Sequence, residues 1–270
     1  VSQVFTEGDL ATLKGNLAIG HCRYSTTGSS TWVNAQPTLR PTKYGTLALA
    51  HNGNLTNTGD LAELVQKLES SATSMSGITT DTEIMTALIA LQDEKNVEAS
   101  ALAVLPQLEG AFSLVFMDEH TLYAARDRHG VRPLVLGKLE TGWVVASESA
   151  ALDIVGAAFI REVEPGEFIA IDVNGVRSQR WATAEPKGCL FEYVYLARPD
   201  TTIAGSGIHK TRVAIGAQLA REAPAEADLV IPVPESGTPA AIGYAKESGI
   251  PFGLGLVKNS YVGRTFIQPS

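Results

Sequence analysis

Residues 47–57 read LALAHNGNLTN, an apolar run that gives way to His-Asn-Gly-Asn. Two kinds of chemistry suit that change. Asn52-Gly53 supplies the positive φ that a tight turn needs. Alternatively, an Asn side-chain amide beside a backbone N–H forms an oxyanion hole for acyl transfer. Arg23, within HCRYSTTG (21–28), is either a surface cation or a planar guanidinium fork for a carboxylate, a geometry lysine cannot copy. The Ser/Thr cluster after it, which includes Thr26, suits a binding loop. Asp81, in GITTDTEIM, is either a helix-terminus carboxylate favoured by the dipole or an acceptor for an ammonium group. A carboxylate binder, an ammonium binder and an oxyanion hole together describe a site for a free amino acid whose side-chain carbonyl is attacked.

These residues need elements to hold them. NLAIGHCRYS alternates as a strand, with Leu17, Ile19, His21 and Arg23 on one face and Cys22 on the other. After HNGN, read as the turn that ends a strand, Leu61, Leu64, Val65 and Leu68 recur at helical spacing. Thr80 and Glu83 form a capping-box pattern ahead of a second helix through Ile84, Leu88 and Leu91. A third helix ends by Gly110, with Pro106 in its last turn. From Ala111 the pattern changes to hairpins: AFSLVFM with TLYAARD, LVLGKL with GWVVASES, and EFIAIDV with VRSQRW across Asn174-Gly175. Helices followed by antiparallel hairpins predict an α+β sandwich with helices on sheets.

The composition shifts at AEPKG, 184–188. Beyond it the pattern predicts a helix from about His209 to Glu222, a buried-type strand DLVIPVP, a helix GTPAAIGYAKES and a short strand GLGLV. Strand, helix, strand implies βαβ and a parallel sheet. PESGT sits where a strand passes into a helix. It is either a plain polar connection or a set of backbone N–H groups for a diphosphate.

The bulk numbers fit two domains in 270 residues, with 44% hydrophobic and 19% charged residues. A net charge of -8 argues against a nucleic-acid partner. Two cysteines make no disulfide framework, which points to a reducing, cytoplasmic setting, and no apolar run is long enough to predict a membrane span.

HCRYSTTG, HNGNLTN, TTDTE and GAFSL resemble the glutaminase domain of the N-terminal-nucleophile (class II) glutamine amidotransferases. RDRHGVRPLVLG, ASESAALD, PGE, CLFEYVYLARPD, PVPESGTPAAIGYA and KNSYVGRTFI narrow the resemblance to glutamine phosphoribosylpyrophosphate amidotransferases, over nearly the whole chain. The resemblance implies an Ntn-hydrolase-type αββα sandwich over 1–187 and the first part of an α/β type I phosphoribosyltransferase domain over 188–270. It implies that Arg23 holds the glutamine α-carboxylate and Asp81 its amino group, that Thr26 also binds glutamine, and that Asn52 with Gly53 forms the oxyanion hole. His51 and His21 are then packing or hydrogen-bonding residues. The family nucleophile is a cysteine at the mature N-terminus, its own amino group the base. This chain begins Val1-Ser2 at a point inside the family pattern, so it is expected to be a piece cut at both ends that does not hydrolyse glutamine. Cys22, opposite Arg23, is expected to be a buried structural thiol.

For the second half, the resemblance assigns Glu235, Ser236, Gly237 and Thr238 to the pyrophosphate loop, with Ser236 near a bound Mg²⁺. Lys258, Tyr261 and Arg264 fall in a loop over phosphoribosyl diphosphate. Cys189 is implied as one ligand of a 4Fe-4S cluster, since EAPAEADLVIPVPES and AAIGYAKESGIP resemble the cluster-containing branch. Members without a cluster also carry that cysteine. The implied activity converts glutamine and 5-phosphoribosyl diphosphate to 5-phosphoribosylamine in de novo purine (IMP) synthesis, in a homo-oligomer inhibited by purine nucleotides. The alternatives are another class II amidotransferase, against which PESGT and KNSYVGRTF count, and a catalytically dead glutamine-binding relic.

Overall fold

The computed structural model describes residues 6–23, 32–69 and 80–261. In chain order the elements are α1 (Glu7–Thr12), β1 (Thr38–Thr42), β2 (Gly45–Leu55), α2 (Thr58–Leu68), α3 (Asp81–Leu91), α4 (Val97–Val104), β3 (Gly110–Met117) and β4 (Leu122–Arg126). There follow β5 (Val135–Lys138), β6 (Trp143–Ala146), α5 (Ser149–Val155), β7 (Ala158–Glu162), β8 (Glu167–Asp172) and β9 (Gly175–Arg180). The last are β10 (Thr202–Ile203), β11 (Ser206–Gly207), α6 (Ile208–Glu222) and α7 (Thr238–Ser248). Contacts divide the chain into two compact units: Val1–Arg132 with Glu164–Pro186, and Pro133–Val163 with Lys187–Ser270. Among the described residues no helix is long and apolar enough to cross a membrane.

The first unit is built on a six-stranded antiparallel sheet, ordered β1-β2-β3-β4-β8-β9. Alternate residues of the central strands, among them Leu49, Phe112, Phe116 and Phe168, join Leu61, Met85 and Leu88 of the helices in one core. Phe116 stacks on Tyr123 at 4.9 Å between ring centroids. Pro41 cannot donate to a ladder and lies in the edge strand β1, where that loss costs least. The capping box forms: Thr80 Oγ1 accepts the Glu83 N–H at 3.3 Å. Removing it in Thr80→Ala should cost about 1 kcal/mol, read from a urea midpoint.

Three expectations fail here, each for lack or presence of a ladder partner. HNGN is not a turn. Residues 51–54 continue β2, held by β3 through Asn52↔Ser113, Gly53↔Phe112 and Asn54↔Ala111. The chain turns earlier, between β1 and β2, where Thr42 pairs with Gly45. Residues 17–23 form no strand with any described residue; their tie to β2 is through a side chain, His21 Nε2 on the His51 carbonyl at 3.1 Å. Their alternation survives as burial: Leu17, Ile19, His21 and Arg23 are half-buried, while Ala18, Gly20 and Cys22 face out. Cys22 is therefore exposed, not a buried thiol.

In the second unit, β6-β5-β7 form a three-stranded antiparallel sheet over a small core of Val135, Leu152 and Ala157. The parallel sheet expected from DLVIPVP and GLGLV reduces to one parallel bridge, Val230 to Phe252. Parts of those segments face out: Val233 is 72% and Leu254 70% exposed. Without a sheet to clamp it, α7 is held by α6. A Cβ on Gly216 would collide with Ala240 O, and one on Gly243 with Val213 O, so the two helices meet main chain to main chain.

Candidate active site

The site residues of the first unit collect along one edge of β2. Phe112 donates its N–H to Asp127 Oδ2 (3.1 Å), and its C=O accepts the Asp127 N–H (2.8 Å). Its main-chain groups are thus turned from β2, so Gly53 opposite it is in a non-hydrogen-bonded pair and aims its own N–H at the other edge. The neighbouring odd positions confirm the direction. The His51 N–H reaches Gln36 Oε1 at 2.7 Å, and the Leu55 N–H reaches Asp81 Oδ2 at 3.2 Å. The β1 ladder ends at Leu49 and does not extend to Gly53. Among the described residues the Gly53 N–H therefore lies on an open edge between two captured neighbours.

Only glycine fits there. Gly53 has φ of +152°, and a Cβ would collide with Ala111 O and come within 2.7 Å of His51 Nε2. His51 is buried and fixed at three points: its N–H on Gln36, its C=O against His21 Nε2 (3.1 Å), and its Nδ1 3.5 Å from Asp81 Oδ2. Burial pushes the His21 imidazole down, its bond to the His51 carbonyl opposes this, and the His51 and Arg23 charges lower it further. Arg23 is thus near enough to be felt by the residue that caps His51.

Asp81 opens α3. Burial raises its carboxyl, but His51 and the N–H groups of Leu55 and Thr82 outweigh that and hold it below the usual carboxylate range. It is an anion at neutral pH. Gln36 completes this wall. Its Oε1 takes the His51 N–H and its Nε2 donates to Thr82 Oγ1 at 3.0 Å, tying β2 to α3. Asn52 points to the opposite face, where its Oδ1 accepts from Arg132 Nε at 3.2 Å. Gln36 and Arg132 were not singled out from the sequence, because both act across long separations with no local pattern. Thr26 lies outside the described residues.

In the second unit, residues 234–238 lead into α7; the Gly237 N–H donates to Val233 O (3.2 Å) and the Thr238 N–H to Glu235 O (3.2 Å), so that end is partly satisfied by its own loop. Ser236 and Gly237 line a pocket of about 400 Å³ with Phe191, Tyr195, Arg212 and Ala240. Arg212 is buried and spent on the carbonyls of Tyr193 (2.7 Å) and Ala197 (2.8 Å), so it is a structural pin. Lys258 Nζ lies 3.8 Å from Glu235 Oε2, which brings it to the same loop. Tyr261 is fully exposed, and Arg264 lies outside the described residues.

The first unit is α+β, like the N-terminal-nucleophile-type glutamine domain of its structural neighbours, and residues 21–154, which run past Arg132 into the second unit, match the glutamine amidotransferase domain family. The chain as a whole is a homologue of the amidophosphoribosyltransferases. It is 63% identical over 273 residues to that enzyme of Mycobacterium tuberculosis, covering all of this chain and 52% of the relative. A B. subtilis glutamine phosphoribosylpyrophosphate amidotransferase complexed with ADP and GMP superposes with a TM-score of 0.89 at 42% identity, over all of this chain and 58% of that one. A structure described as the allosteric regulatory enzyme of purine biosynthesis gives 0.90 at 44% identity, over all of this chain and 57% of that one. The chain thus spans about half the length of these relatives.

Proposed function

We propose that this chain is the glutamine-handling and first phosphoribosyl-handling part of an amidophosphoribosyltransferase, divided functionally at 187/188. The observation that carries it is the row of N–H groups on the open edge of β2. Alternate N–H groups on a strand are about 7 Å apart. A glutamine whose side-chain carbonyl meets Gly53 therefore has its α-ammonium within reach of Asp81, which already holds the next odd N–H at Leu55. Arg23 takes the α-carboxylate, and Thr26 belongs to the same glutamine site. A cysteine thiolate, placed by the family resemblance ahead of Val1, attacks the amide carbon; the oxygen becomes an anion and the Gly53 N–H and Asn52 amide stabilise it. Collapse releases ammonia, and hydrolysis of the acyl-enzyme gives glutamate.

The ammonia displaces pyrophosphate from 5-phosphoribosyl diphosphate, giving 5-phosphoribosylamine. The diphosphate sits at the start of α7, on the N–H groups of Glu235 and Ser236 and beside Gly237 and Thr238, whose own N–H groups are held by Val233 O and Glu235 O, with Lys258, Tyr261 and Arg264 in the segment that covers it. Glu235 and Ser236 offer oxygens to a Mg²⁺ brought in by the diphosphate, and among the described residues no group of three His, Cys, Asp or Glu forms a cage of its own. When bound, such a metal would supply charge neutralisation for pyrophosphate as a leaving group. Cys189, a free and half-buried thiol, would supply one of the four thiolates that a 4Fe-4S cluster takes. Purine nucleotides, as in the B. subtilis complex, are the proposed regulators of a cytoplasmic homo-oligomer.

Glutamine calorimetry tests the first half. Asp81→Asn should weaken binding about tenfold or more. Glutaramate, which lacks the α-amino group, should bind both proteins alike. Because Asp81 is held below the usual carboxylate range, glutamine affinity should stay level as pH falls from 8 to 5. Equal glutamine affinity in the two proteins would remove Asp81 from the site.

A further inference from the structure

We infer that Arg132 is a positioning residue for the oxyanion hole, deciding which end of the Asn52 amide faces the reacting carbonyl. The inference deepens the glutamine chemistry proposed above and rests on it. The two ends of an Asn amide are nearly identical in shape and opposite in hydrogen bonding, so shape alone cannot choose between them. Arginine carries only donors. With Arg132 Nε 3.2 Å from Asn52 Oδ1, the oxygen is the end that must face the guanidinium, and the NH₂ is left to donate elsewhere. The flipped amide would set donor against donor. The cation also polarises the amide and strengthens its N–H groups toward an anion.

Arg132 is itself held in place. Its carbonyl accepts from Ser113 Oγ (3.0 Å) and from Arg126 Nε (2.8 Å). Ser113 is the residue paired with Asn52 across β2 and β3, so the anchor and the target share one rung of the ladder. Arg126 also donates to Gly130 O (2.9 Å). Buried Asp127 gathers the N–H groups of Phe112 (3.1 Å), His129 (2.9 Å) and Val131 (3.3 Å). The RDRHGVR loop therefore delivers one guanidinium to one amide oxygen.

A double-variant cycle tests this in a protein that carries the chain at the full length of its relatives, with glutamate release as the readout. Arg132→Met should lower kcat about tenfold with KM within about twofold, the scale of coupling between contacting residues. Arg132→Lys, also a pure donor, should recover part of the loss. In an Asn52→Ala background Arg132→Met should have no further effect, because the amide it orients is gone. Native kcat in Arg132→Met beside an impaired Asn52→Ala, or an equal loss in both backgrounds, would overturn the inference. An unimpaired Asn52→Ala would instead remove the glutamine chemistry, and this role with it. Should Arg132→Met not fold, Arg132→Lys carries the same cycle, its smaller loss vanishing in the Asn52→Ala background; a loss that persists there counts against it.

Discussion

Gly53→Ala is expected to destabilise the first unit by about 4 kcal/mol and to abolish glutamine turnover. Two costs combine. The +152° φ is a region that residues with a Cβ avoid, at about 1–3 kcal/mol. The added methyl also meets Ala111 O and the buried His51 ring, which have little room to yield: the first is main chain of the paired strand, the second is buried with its Nδ1 on Asp81 Oδ2. Overpacking of that kind costs about 1–3 kcal/mol. Opening the Gly53–Phe112 rung would also swing the Gly53 N–H off its line. A denaturation midpoint shifted by the equivalent of less than about 1 kcal/mol would show that this strand tolerates a side chain, and that the close approach is not a constraint.

Asn52→Ala should separate catalysis from folding. In a full-length protein kcat for glutamine hydrolysis should fall about 100- to 1,000-fold, the usual loss of one oxyanion donor. KM and the melting temperature should change little, since the side chain is half-buried and on the face away from the Leu47, Leu49 and Leu55 core positions. The contrast with Gly53 is informative, because one residue contributes a side chain and its neighbour contributes the lack of one. A fall in KM affinity with unchanged kcat would make Asn52 a ground-state contact.

What the sequence made legible was local. The Thr80–Glu83 box, the helical spacing of Leu61 and Val65, and the β8–β9 hairpin all depend on residues a few positions apart, and all form. Even there the hairpin register is one residue off the Asn-Gly expectation: Asp172 pairs with Gly175, so Val173 and Asn174 make the loop. Asn52-Gly53 misled because a glycine at positive φ serves a turn and a tightly packed strand equally. Only pairing with Phe112, far along the chain, decides between them. The alternation through Arg23 was correct as a pattern of faces, yet it could not say that the Cys22 face is open. Gln36 and Arg132 had no periodicity to betray them. Each matters through one bond to β2, and such bonds exist only once the chain has folded.

The glycine seam of α6 and α7 has a bearing on the far end of the second helix. Residues 234–238 run straight into α7, and beyond the single Val230–Phe252 bridge no described ladder fixes its height. Gly216 and Gly243 therefore act as a hinge pin: a methyl at either would wedge the pair apart and carry the mouth of the helix with it. The grip proposed for a diphosphate at Ser236 would thus be set by two residues that line no part of that loop.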